Sequence, residues 1–120
     1  MIKATIEEAK IYKISKLWRK KPRGLKFNDT DALVVTMKTE DGRILRETFY
    51  FCLKPDGTFN VQTVSKDNSH LRRLRLAKFL KYYRFTDDVK HYNLMQNVGE
   101  WKGKEVQITE SKDSPLIYVP

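Results

Sequence analysis

Cysteine is nearly missing from this chain. Cys52 is the only one in 120 residues, so no intrachain disulfide can form and a reducing, cytoplasmic compartment is expected. No stretch of about 18 consecutive apolar residues occurs, which excludes a membrane-spanning helix and makes a membrane partner unexpected. The opening residues, Met1 to Glu8, lack a basic-then-apolar leader, so export is not expected. There is no internal repeat, no low-complexity tract and no Gly/Ser linker, which reads as one domain spanning 1–120.

Catalytic and metal-binding signals are equally sparse. Cys52, His70 and His91 have neither Cys-x-x-Cys nor His-x-x-x-His spacing, so no metal and no cofactor is expected. Gly-x-Ser-x-Gly does not occur, and the run from Gly99 to Lys104 is one residue short of a phosphate loop and continues into Glu105. Pro55-Asp56 and Glu100-Trp101-Lys102 spell fragments of a metal-dependent nuclease signature. The aspartate falls in a turn, however, and the Glu-x-Lys follows a helix stop instead of a strand. An enzyme is therefore not expected, with a nuclease the third reading in order.

What the chain does have is positive charge and aromatic rings. Lys and Arg number 24 against 15 Asp and Glu, a net +9, with 40% apolar and 12% aromatic residues, too many core formers for a disordered chain. The excess is uneven. Residues 1–27 carry nine basic and two acidic residues, net +7; residues 66–90 carry eight and three, net +5; the remainder is −3. Two basic segments on a mildly acidic body suggest a patch that faces a polyanion.

Residues 2–19 alternate loosely through Ala4, Ile6, Ile11, Ile14 and Leu17, as one long strand or two bent ones. A basic loop follows, broken by Pro22 and Gly24. Residues 32–39 and 44–53 read as strands joined at Glu40-Asp41-Gly42-Arg43, where Asp-Gly suits a hairpin. In the second of these, Leu45, Phe49, Phe51 and Leu53 share a face with Glu47, an odd member. Lys54-Pro55-Asp56-Gly57 is another turn, leading to a strand with Phe59, Val61 and Thr63 aligned, so that three strands form a meander. A helix is predicted over 69–84, a shorter one over 87–98 ended by Gly99, and two last strands around Val106–Ile108 and Leu116–Val119.

This succession is that of the OB-fold: a mainly β, five-stranded Greek-key barrel with a helix between its third and fourth strands. A winged helix fits worse, since its helices precede most of its strands. Together with the Trp101-Lys102-Gly103-Lys104-Glu105-Val106 segment, the order resembles the small single-OB-fold proteins of archaea and phages. That resemblance covers nearly the whole chain and implies binding of single-stranded nucleic acid.

Two segments carry the candidate contacts. On the helix, Leu74, Leu76, Ala77, Leu80 and Tyr83 gather on one apolar side, while Arg72, Arg75, Lys78, Phe79 and Tyr82 gather on another. Cations suit phosphates and rings suit unstacked bases, so this mixture fits a single-strand groove. Phe79 also fits the i, i+3, i+4, i+7 series of the core, and both readings stand. Arg73 falls within the apolar side. The other segment is Lys13 to Phe27, where Trp18 sits among Lys16, Arg19, Lys20, Lys21, Arg23 and Lys26, next to the connection that borders the OB binding face. Tyr12, Tyr50 and Phe59 are strand aromatics, either core or stacking face; Trp101 reads as barrel core and His91 as a solvated surface residue. The expectation is a non-enzymatic module for single-stranded DNA or RNA with little sequence preference. The alternative is a structural or adaptor domain of a larger, viral or phage, assembly that docks an acidic protein partner or its own copies.

Overall fold

In the computed structural model the described residues are 1–14, 30–59, 68–109 and 116–120, with only the backbone described for 68–73. Five strands form one antiparallel sheet: β1 (Ile2–Lys13), β2 (Asp31–Thr39), β3 (Ile44–Phe51), β4 (Glu105–Thr109) and β5 (Leu116–Ile117). Their order is β3-β2-β1-β4-β5, the strand order of a nearly closed OB-type barrel.

The loose alternation of the first strand has a local cause. β1 is a single strand with a bulge between Ile6 and Glu8. Ala4 and Ile6 point inward before the bulge and Ala9 and Ile11 pack on the core after it, so one extra residue switches the inward parity. That bend lets β1 pair with β2 along its length and with β4 through its first residues. The β2–β3 hairpin turns at Asp41-Gly42 as expected, with Gly42 at φ +89°.

The turn at Lys54–Gly57 also forms, with the Lys54 amide donating to the Thr58 carbonyl at 2.8 Å. Beyond it the described chain makes one isolated bridge, Leu53 to Phe59, and Val61 and Thr63 lie outside the described residues. Gly57, at φ +88°, is pressed against Asn93, whose side-chain amide donates to the Asp56 carbonyl while its oxygen caps the Gln96 amide. A Cβ on residue 57 would collide with that side chain and strain the backbone as well. Gly57→Ala is expected to cost about 2 kcal/mol. A thermal midpoint equal to that of the parent would contradict this interlock.

Helix α1 (Asn68–Tyr82) lies between β3 and β4. It stops with Arg84 in the left-handed region at φ +61° and the Phe85 amide donating back to the Leu80 carbonyl at 2.9 Å. The helix predicted over 87–98 is corrected. Only a 3₁₀ turn (Val89–His91), the single turn α2 (Leu94–Asn97) and a second 3₁₀ turn (Val98–Trp101) form there. Tyr92 and Asn93 are extended, and the Asn93 side chain starts a fresh turn, so the helix cannot run through. Gly99 sits within the second 3₁₀ turn, and the chain reverses at Gly103, φ +90°.

The core lies between the concave side of the sheet and α1. Ile6, Leu33, Met37, Phe51, Leu76, Leu80, Trp101 and Ile108 are essentially inaccessible there. Trp101 stacks on Phe85 at 4.5 Å and donates its indole N–H to the Tyr92 hydroxyl at 3.1 Å, so it is the barrel residue that the sequence suggested. No helix among the described residues is long and apolar enough to cross a membrane.

Candidate nucleic-acid interface

α1 divides its side chains between core and solvent, and one candidate changes sides. Phe79 is fully buried, with ring centroids of Phe49, Tyr83, Phe85 and Trp101 all 5.2–5.5 Å away. It is the hub of the aromatic core, and the expectation that it stacks on a base is corrected. The physical reason is the width of the apolar side: with Leu76, Leu80 and Tyr83 it completes an i, i+3, i+4, i+7 stripe, and burial of a ring outweighs the rest.

Arg75 is the second correction, in part. Its Nη2 donates to both carboxylate oxygens of Glu47 at 2.9 Å and to the Ile117 carbonyl at 2.8 Å, with the guanidinium 5.7 Å from the Phe49 ring centre. The Ile117 amide in turn donates to Glu47 Oε1 at 2.9 Å. β3 and β5 share no ladder among the described residues, so this ion pair and these backbone contacts bridge the seam between them. Glu47, the odd acid on an apolar face, is thereby explained. The Tyr83 hydroxyl adds a further link, donating to the Tyr118 carbonyl at 2.7 Å and accepting from the Gln107 amide at 3.2 Å.

Burial holds the Glu47 carboxyl above the usual range, opposed by the Arg75 charge and the Ile117 amide. A carboxyl raised in the fold favours the folded state most when protonated. Its contribution is present below its unfolded value and is lost as pH rises through the folded one. Asp41, Asp56 and Asp88 are lowered, by hydrogen bonds from Thr39, Thr58 and His91 respectively, and act in the opposite sense.

What remains in solvent on this side is basic and aromatic. Lys78, Lys81, Tyr82 and Arg84 are exposed, and the Tyr82 ring, 43% exposed, meets Tyr118 edge-on at 5.8 Å. Leu74, Arg75 and Lys78 from α1 form a shallow groove with Val119 and Pro120. Residues 68–86 contain six Lys or Arg and no acid. Lys78 and Tyr82 thus keep their predicted position. Lys81 was one i+3 step from Lys78 and could have been found by that spacing; Tyr118 arrives by the return of β5, which no local signal announces.

Arg72 belongs to α1, but its side chain lies outside the described residues, as does that of Arg73. Lys16, Trp18, Arg19, Lys20, Lys21, Arg23 and Lys26 also lie outside them. The residues flanking that segment are described and are held together: the Ile14 amide donates to the Thr30 carbonyl at 3.0 Å. Buried Asp31 meets the Lys13 ammonium at 2.9 Å and accepts from the Leu53 amide at 2.9 Å.

The outer face of β1–β3 is a second solvent-facing surface. Cross-strand register places Lys10, Val34 and Thr48 in one row, Glu8, Thr36 and Arg46 in the next, and Tyr12, Ala32 and Tyr50 in a third. Phe49 faces α1 from the inner side, so this outer face and the α1 strip lie on opposite sides of the sheet. Its cations are Lys3, Lys10, Lys38 and Arg46, with Lys3 already 3.7 Å from Glu105 and Lys10 3.4 Å from Glu8. Ile14 and Tyr50 cover Ala32, which leaves Tyr12 as its more open ring. Phe59 is core. By charge the α1 strip is the stronger surface, since residues 68–86 hold no acid.

Elsewhere, Asp56 caps Thr58 through its amide and hydroxyl, Glu100 is exposed, and solvated His91 meets Asp88 at 2.7 Å. No three His, Cys, Asp or Glu gather in a metal-sized group among the described residues. The chain matches no family model, no curated protein and no solved structure.

Proposed function

We propose that this protein is a non-enzymatic module that binds single-stranded DNA or RNA with little sequence preference. The observation that carries the reading is the acid-free helix α1. Its apolar side is consumed by the core, and Lys78, Lys81 and Tyr82 stay in solvent, with Tyr82 beside the Tyr118 ring. Phosphates are taken by the cations and bases by the two rings, which suits a strand whose bases are unstacked. The basic segment Lys16–Lys26, with Trp18, adds further contacts of the same kind. An OB-type barrel is a frame that supports such a task without deciding the nucleic acid.

The test is salt dependence. Affinity for a homopolymeric oligonucleotide falls log-linearly with salt, by about 0.7 per phosphate neutralised and by about 2 for three phosphates. Micromolar protein that leaves the oligonucleotide's mobility unchanged at low salt refutes the reading. Binding instead to an acidic protein segment, with no nucleic acid bound, is the adaptor's result.

A further inference from the structure

Arg75 is only partly used by the latch across the barrel seam. All three of its polar contacts run through Nη2; Nε and Nη1 have no hydrogen-bond or ion-pair partner among the described residues. The side chain is 31% exposed and lines the groove with Lys78, Leu74, Val119 and Pro120. Both forked edges of a guanidinium include Nη2, so the free Nη1–H or Nε–H offers a phosphate oxygen one charge-assisted hydrogen bond, and Lys78 stands one turn along the same helix side. Both cations reach the groove from one wall, and no acidic side chain lines it.

Building on the single-strand reading above, we propose that this groove seats one phosphodiester of the bound strand between Arg75 and Lys78, and that buried Glu47 weakens the seat by competing for the same guanidinium. The carboxylate lies 2.9 Å from Nη2 and cancels much of the charge that a phosphate at Nη1 or Nε would feel. The same ion pair holds β3 to β5, so the molecule gives up some affinity for a closed barrel. Glu47 is a positioning residue in this account: it touches Arg75 and the Ile117 amide, not the ligand.

The experiment compares a fluorescent oligothymidylate on the parent protein, Glu47→Gln and Lys78→Gln, with folding of each checked by circular dichroism. Glutamine keeps an oxygen for the Ile117 amide but removes the charge. Affinity is expected to rise about 3- to 10-fold in Glu47→Gln, with a steeper salt slope, and to fall in Lys78→Gln with a slope shallower by about 0.7. A purely structural Glu47 gives equal or weaker binding in the folded variant, and that result overturns the inference while leaving the proposed function standing. No binding by the parent protein removes both. Should Glu47→Gln fail to fold, the Arg75 Nε–H resonance of the parent decides: it must shift on titration with the oligonucleotide. An unmoved signal, or one moved by inorganic phosphate or by a polyglutamate peptide but not by the strand, overturns the seat.

Discussion

Phe79→Ala is expected to remove about 3–5 kcal/mol of stability, the largest effect of any single substitution considered. The ring is wholly inaccessible and touches four other aromatic rings: Phe49 of β3, Tyr83 and Phe85 from the segment after α1, and Trp101. Truncation leaves a void where the sheet, the helix and the returning chain meet. A domain of this size is typically stable by about 5–15 kcal/mol, so the variant is expected to be marginal or unfolded at 37 °C. Phe79→Leu, which retains more of the volume, is expected to lose less. The informative comparison is affinity per folded molecule, measured at low temperature. It is expected to equal that of the parent, because the ring never reaches a ligand. A folded Phe79→Ala protein with parental stability and tenfold weaker binding would reverse the assignment of this residue.

Removing Tyr82 and Tyr118 together has the opposite signature. Each stacked base is worth about 1–3 kcal/mol by alanine substitution, so the double variant is expected to bind a single strand roughly 100-fold more weakly. The cost in stability is small by comparison, since Tyr82 is 43% exposed and Tyr118 half-buried. The Tyr118 backbone, which the Tyr83 hydroxyl and the Gln107 carbonyl hold, is untouched by the change. Fluorescence anisotropy and thermal unfolding read the two quantities separately. Unchanged affinity in the double variant excludes these rings as the stacking surface.

The fold was legible where local chemistry is unambiguous. Asp41-Gly42 and Asp56-Gly57 announce tight turns, and alternation in 32–39 and 44–53 announces paired strands, which together with the helix position give the barrel order. The bulge in β1 was visible only as an irregular alternation, because an inserted residue flips parity without leaving a residue-type signature. The broken segment at 87–98 misled for a different reason: its caps and spacing are helical, yet Asn93 serves the neighbouring turn through Asp56 and restarts the backbone. Glu47 was the most informative misfit, an acid in an apolar register that pointed to an unseen cation. At the candidate interface, periodicity placed Lys78 and Tyr82 correctly but could not separate Phe79 from them, because a wide apolar side and an aromatic binding side look alike along one helix. Tyr118 required the tertiary return of β5, and no local rule supplies that.

Backbone and side-chain resonances followed during titration with an oligothymidylate test the central claim most directly. Shifts are expected to concentrate at Lys78, Lys81, Tyr82 and Tyr118, together with the 16–26 segment, and to grow as salt is lowered. Shifts confined to Tyr12, Lys38 and Arg46 on the opposite face of the sheet, or none at millimolar oligonucleotide, would contradict it.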